Sequence, residues 1–301
     1  MSNERHVPVL FQEAIDFLRV RPDGTYVDCT VGLGGHSEGI LRRLGPQGHL
    51  IGFDRDPMAL SLAKVRMARV SNEMGDQAPA ITLVGEAFSS IARHVKPASV
   101  DGLLADFGVS SLQFDEAQRG FSFQADGPLD MRMDTRTGPT AAQVVNEISE
   151  RVLANLIYEN GEERRSRTVA RAIVRGRPVT TTGQLARIVA SAVPAMKRDK
   201  KHGSIHPATR TFQALRIYVN RELDEIRDLL EAAPALLKPS ARLVVISFHS
   251  LEDRIAKDSL RDGAQKGIWE ILTRKPVTAG EEETEHNPRS RSAKLRAAEK
   301  K

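Results

Sequence analysis

Residues 28–39 read DCTVGLGGHSEG, a cluster of glycines set between an apolar run (Thr25, Tyr26, Val27) and a helix-like segment carrying Ile40, Leu41 and Leu44. Glycines at a strand-to-helix corner let something approach the backbone closely and leave N–H groups pointing outward. Two chemistries are written over the same letters. Gly32, Gly34 and Gly35 read as a nucleotide-binding turn, whereas Gly35 to Gly39 match the G-x-S-x-G nucleophile elbow of serine hydrolases, with Ser37 as nucleophile.

The hydrolase reading is the weaker. Ser37, a later acid and His249 follow the chain order of that triad, but only 36 residues precede Ser37, too few for several earlier strands. Five residues also separate Val31 from Ser37, where an elbow serine stands directly after its strand. The dinucleotide fingerprint G-x-G-x-x-G fails too, because its third glycine is Ser37. What remains is an acid at the strand end, Asp28, four residues before Gly32, and a second acid, Asp54, 22 residues beyond Gly32. That second spacing is close to the roughly 20 residues at which a carboxylate reaches a ribose hydroxyl pair. An acid just before the glycines repels a pyrophosphate and suits a cation, such as the α-amino group of S-adenosylmethionine. No G-x-x-x-x-G-K-[ST] string is present. The expectation is an adenosine cofactor without phosphates, with Asp54 competing for an alternative task as cap of a helix starting near Pro57.

Bulk properties narrow the class. The chain has 301 residues, 40% hydrophobic and 28% charged, enough for one large or two smaller soluble domains. No apolar run approaches the roughly 18 residues of a membrane span, and the first residues lack the h-region of a secretory signal. A single cysteine, Cys29, excludes an internal disulfide framework and a multi-cysteine zinc site. A cytosolic protein without a metal is expected. The net charge of +5 hints at a polyanionic partner.

Short apolar runs at 25–31, 49–54, 81–85 and 100–106 alternate with helical segments such as 57–74, which predicts βαβ units and a mostly parallel sheet in an α/β fold. The next convincing strand is 241–247, ARLVVIS, after one long amphipathic helix through Phe212, Leu215, Val219, Leu223, Ile226 and Leu230. A parallel crossover needs only a dozen or so residues plus its helix. The excess predicts an inserted helical domain at 113–206, between sheet-forming parts at 1–112 and 207–301, and no internal repeat is visible. The polar tail from Thr278 is expected to be partly disordered or tied down late.

Asp106 ends the fourth predicted strand, in ADFGVSS. The amine of cytosine or adenine is a poor nucleophile because its lone pair is delocalised into the ring. A carboxylate that accepts its N–H bonds localises that pair and aims it, the role expected of Asp106. Its bland alternative is a strand-end carboxylate capping a turn; the (D/N/S)-P-P-aromatic corner of amino-methyltransferases is absent. Within the insert, residues 165–197 contain no acid, and Arg164, Arg167, Arg171 and Arg175 are expected on one helical face as an RNA-binding stripe. Lys197, Arg198, Lys200 and Lys201 follow, and the tail adds Arg289, Arg291, Lys294, Arg296, Lys300 and Lys301. Aromatics are scarce at 5%, so one looped-out base is a better target than a stacked single strand. His206 and His249 are candidate bases, with structural roles as the alternative.

The strings HVPVL (6–10), DCTVGLGGHS, GFDRDP, ADFGVSSLQFD, RGFSF, GPLDMRMD, NGEERRSR, IHPATRTFQALRIYVNREL, VVISFHSLEDR and NPRSRSAKLR together resemble the bacterial ribosomal RNA small-subunit methyltransferase H family, MraW-type, from His6 almost to the C-terminus. The resemblance implies a Rossmann-like class I S-adenosylmethionine-dependent sheet with an all-helical insert. It implies methylation of the N4 amine of one cytidine in 16S rRNA, in the decoding region of the small ribosomal subunit; the number of chains is open, a homodimer being one option that the sequence does not decide. By motif it carries cofactor contacts onto Gly34, Gly35, His36, Asp54, Phe88, Asp106 and Gln113. Phe107 and Leu112 depart from the family's Leu and Pro, so Phe107 is not assigned as a base-stacking ring. The alternatives are methylation of another RNA amine and a non-catalytic RNA-binding assembly factor.

Overall fold

The computed structural model describes residues 8–193 and 206–301. The chain runs α1 (Phe11–Leu18), β1 (Thr25–Asp28), α2 (Gly35–Leu41), β2 (His49–Phe53), α3 (Pro57–Met74), β3 (Ala80–Val84), α4 (Ile91–His94) and β4 (Val100–Asp106). Six helices follow: α5 (Ser111–Asp115), α6 (Ala141–Glu147), α7 (Glu150–Gly161), α8 (Ser166–Arg175), α9 (Thr182–Ala192) and α10 (Thr209–Asn220). The chain ends with α11 (Glu222–Leu236), β5 (Leu237–Ser247), α12 (Ser250–Gln265), β6 (Trp269–Ile271), α13 (Glu281–His286) and β7 (Lys294–Lys300).

The strands form one sheet in the order β3-β2-β1-β4-β5-β7-β6, with β1 to β5 parallel and β7 antiparallel to β5 and β6. This is the mostly parallel α/β arrangement that the alternating pattern predicts, in the Rossmann-like form that the resemblance implies. β4 is buried along nearly its whole length because it is covered on both faces, which is why VDGLLAD reads as an unbroken apolar run. Leu103, Ala105, Leu243 and Val245 pack into one core with α11 and α12, while Leu104, Val244 and Ile246 pack into another with α1 and α2. Chain order reverses between β1 and β4. The carboxyl ends of those two strands therefore mark the topological switch point, where sheets of this kind bind ligands.

The chain divides into two compact units, one containing the described residues up to Gly108 together with Leu223–Lys301, the other Val109–Glu222. The helical unit is thus wider than the expected 113–206. It has its own apolar core, with Leu153, Ile157, Val169, Ile173, Leu185, Val189, Phe212 and Leu215 fully or nearly buried. The single long helix expected through Leu230 is in fact two, α10 and α11. They break at Arg221, which takes a left-handed φ of 51°. The break is held on one side by Asn220, whose side-chain amide donates to Met131 O (2.7 Å) and accepts from Met133 N (2.7 Å). On the other side, Arg216 pairs with Glu222 at 2.8 Å. A three-four apolar spacing runs through such a joint unchanged, so periodicity alone does not reveal it.

The tail is tied down, one of the two outcomes expected for it. Residues 294–300 form a strand inside the sheet, with Leu295, Ala297 and Ala298 buried. Arg296 and Lys294, read as basic tail, pair with Asp253 at 2.7 and 3.1 Å, and Lys300 donates to Leu237 O. These three cations hold the last strand in place and are spent within the fold rather than offered to a polyanion.

Candidate functional site

Ser37 answers the question raised by the glycine stretch. It has no exposed surface, and its hydroxyl donates to Asp28 Oδ2 at 2.6 Å. A hydroxyl in that position has no route to a substrate, so it is no nucleophile. Asp28 is equally enclosed, its other oxygen accepting from Thr30 N at 3.0 Å. Expected to face a cationic amino group directly, Asp28 instead braces the turn from inside, with burial raising its carboxyl above the usual range. Its charge bears on Asp106 and helps to raise that carboxyl's proton affinity. Ser37→Ala should leave this buried carboxylate short of a partner and destabilise the protein by about 1–3 kcal/mol in urea unfolding; an unchanged midpoint would refute the bracing role.

The glycines serve protein packing as much as ligand access. Gly34 sits at φ 81°, and a Cβ there would lie 2.9 Å from Met67 Cε; at Gly35 it would lie 2.3 Å from Pro8 Cγ. Gly32 N donates to Asp54 Oδ2 (2.8 Å), and Asp56 N donates to Asp54 Oδ1 (2.8 Å). Arg66 ties the same loop to α3 by donating to Leu33 O (3.2 Å) and Glu38 Oε2 (2.6 Å). The capping task that competed for Asp54 belongs to Asp56, which accepts from Met58 N at the start of α3. Asp54 keeps a partly exposed carboxylate at the end of β2, with burial pushing its pKa up to about 6. Each carboxylate oxygen has a second lone pair, so Asp54 can still accept two hydroxyls.

Asp106 stands at the end of β4, across the switch point from the glycine turn. Its backbone N–H donates to Thr30 Oγ1 at 2.7 Å, which locks the two corners together. One carboxylate oxygen, Oδ1, is buried without a hydrogen-bond partner. The other lies 3.6 Å from His36 Nδ1. His36 is buried, stacks on Phe11 and places Nε2 3.2 Å from Val9 O. A carbonyl only accepts, so Nε2 carries the hydrogen and Nδ1 faces Asp106. Burial, and then the nearby charges of Asp28 and Glu252, hold the Asp106 carboxyl well above the usual carboxylate range. A buried, unpartnered carboxylate oxygen is costly unless something polar is meant to meet it.

The other expected residues divide between the two units. Phe88 follows β3 and packs near Phe107, 6.1 Å between ring centroids; Phe107 itself is 2% exposed and closed to any base. Gln113 belongs to the helical unit, in the capping box that starts α5. Arg167, Arg171 and Arg175 are exposed along α8 with Val169 and Ile173 buried opposite, as expected. Arg164 is exposed but precedes the helix, and Arg171 reaches Glu150 at 3.4 Å. His249 caps α12 with Glu252, and His206 accepts from Ala208 N and packs at a tilt against Phe123, so both have structural tasks. His6 and the run Lys197, Arg198, Lys200 and Lys201 lie outside the described residues.

A profile of the MraW methylase family matches residues 3–301. The chain belongs to that family. The small-subunit ribosomal RNA methyltransferase H of Acidobacterium capsulatum is 67% identical over the full length of both chains. Its counterpart from Koribacter versatilis is 58% identical over 98% of this chain and 94% of that one. Among solved structures, an rRNA methylase from Streptococcus thermophilus overlaps 98% of both chains at 11% identity and a TM-score of 0.43. No helix among the described residues of this MraW-family chain is long and apolar enough to cross a membrane. Sequence reading of the family motifs missed Thr30, Arg66 and Glu252. Thr30 and Arg66 act on residues 76 and 33 positions away, and Glu252, besides its local capping task, bears on Asp106, 146 positions away; no spacing rule carries those long-range pairings.

Proposed function

We propose that this chain transfers a methyl group from S-adenosylmethionine to the N4 amine of one cytidine in the decoding region of 16S ribosomal RNA, in the cytoplasm. The observation that carries the reading is Asp106: a carboxylate at the switch point with one buried oxygen left without a partner. Membership of the MraW methylase family and 67% identity to a small-subunit methyltransferase over the whole chain support it.

The residues fit the cofactor. Asp54 would take the ribose hydroxyls and Phe88 would lie beside the adenine; the Gly32 to Gly35 turn, whose first N–H is already spent on Asp54, offers little to a phosphate. The cofactor supplies an electrophilic methyl on a sulfonium. Asp106 accepts an N–H of the exocyclic amine, which localises the nitrogen lone pair and orients it. On gaining a methyl group, the amine nitrogen would have to lose a proton. Asp106 is suited to receive it, because its buried, anionic surroundings raise its proton affinity. His36 flanks the other oxygen, with its Nδ1 3.6 Å away.

In vitro methylation of unmodified small subunits, with the modified nucleoside located by mass spectrometry, tests this reading. Label in another nucleoside would refute the cytidine assignment, and calorimetry showing no cofactor binding would point to an assembly factor. We further assign the exposed arginines of α8 to the RNA backbone. Arg167→Glu combined with Arg171→Glu should weaken RNA binding by at least about tenfold at low salt and flatten its salt dependence. Identical salt slopes for both proteins would leave that helix face as a solvated surface only.

A further inference from the structure

We infer that Phe248, at the corner after β5, is the aromatic surface on which the target base stacks; the inference rests on the proposed methylation of a looped-out base. Amine acceptors that are planar rings need a flat apolar face as well as a hydrogen-bond acceptor, since a carboxylate alone leaves the ring free to swing. Phe107, the aromatic next to Asp106, cannot supply that face because it is buried in the core beneath the sheet.

Strand register places Phe248 where Phe107 fails. β4 and β5 are parallel neighbours with Asp106 opposite Ile246, so Phe248 lies two residues beyond Asp106's partner. Side chains alternate faces along a strand. Leu104, Val244 and Ile246 share one core while Leu103, Ala105, Leu243 and Val245 share the other. Asp106 and Phe248 therefore belong to the same face of the sheet, and Phe107 to the opposite one. Phe248 also stands on the β5 side of Asp106, away from β1, β2 and β3, whose ends carry the glycine turn, Asp54 and Phe88. The cofactor residues occupy one half of the edge, Phe248 the other, and Asp106 lies between.

Two further features suit the role. Phe248 is only half-buried, unlike the strand residues before it, and its backbone N–H is held by Glu252 Oε2 at 2.8 Å, which fixes where the ring emerges. Its ring edge comes within 3.6 Å of where a Cβ on Gly108 would stand. Gly108 has φ 103°, a conformation that side-chain-bearing residues rarely adopt, so the β4 corner is built without a side chain beside that ring. A larger residue there would occupy the flank of the ring that a base needs.

The experiment compares Phe248→Leu with Phe248→Tyr in methylation of unmodified small subunits, alongside calorimetric binding of S-adenosylmethionine. Leu keeps apolar packing against the core and removes the π-face; Tyr keeps the ring. Stacking predicts that Phe248→Leu lowers kcat/KM for the subunit about 10–100-fold with cofactor affinity unchanged, and that Phe248→Tyr stays within about threefold of wild type. Wild-type turnover in the Leu variant, equal impairment of Leu and Tyr, or a matching loss of cofactor affinity would each overturn the assignment while the methylation reading stands. Failure of the wild-type protein to methylate any base is a separate result, visible without the variants, and would remove both.

Discussion

Asp106→Asn should lose methyl transfer by about 10²–10³-fold or more in kcat, the usual cost of deleting a group positioned for the transition state, while binding S-adenosylmethionine within a few-fold of wild type. Asparagine keeps the size and one acceptor oxygen of the side chain but cannot take up the amine's proton. The pH profile adds an independent check. Because Asp106 must be ionised to accept that proton, and its surroundings hold its carboxyl well above the usual range, wild-type kcat should rise with pH through that raised value. Stability should move the opposite way. The folded state binds this proton more tightly than the unfolded chain, so ionising Asp106 costs stability as pH rises above the ordinary carboxylate range. The Asn variant should accordingly gain melting temperature relative to wild type at pH 8, and gain less at pH 5. Full turnover in the Asn variant, with a flat pH profile, would end the proposed role of this residue.

The second large effect is expected at Asp54. Asp54→Ala should raise the cofactor dissociation constant about 10–100-fold, because it removes both ribose acceptors and frees the Gly32 and Asp56 N–H groups that shape the turn. With its pKa pushed up to about 6 by burial, the wild-type carboxylate is protonated below that pH and loses acceptor capacity. Cofactor affinity should therefore weaken as pH falls from 7 to 5. Asp54→Asn, which has no proton to gain, should bind more weakly at pH 7 but with little change across the same range. Isothermal calorimetry at several pH values measures both; parallel pH dependence in the two proteins would show that another group titrates.

The two largest effects are expected at residues that stand at the ends of parallel strands, and both were legible before any coordinates. Runs such as LLAD and LIGFD announce their own strands because burial on both faces demands unbroken apolar residues, and the acid that closes each run is the first polar group past the core. The glycine turn was legible for the same reason. Only glycine tolerates φ 81° with Met67 so close, so the pattern had to appear as glycine in the chain.

What the letters could not convey is who meets whom. Whether Ser37 is a nucleophile or a brace depends on Asp28 closing over it; whether Arg296 is an RNA contact or a strand anchor depends on Asp253, 43 residues away. The joint at Arg221 hides under continuous apolar spacing, and the last strand is charged and alanine-rich, so neither stands out by composition. Local patterns are set by the face a residue must bury, which is a property of its own segment and survives in the one-dimensional order. Partners across the sheet are chosen by register and by the turn of the chain, quantities summed over everything between them, and these exist only once the chain has folded.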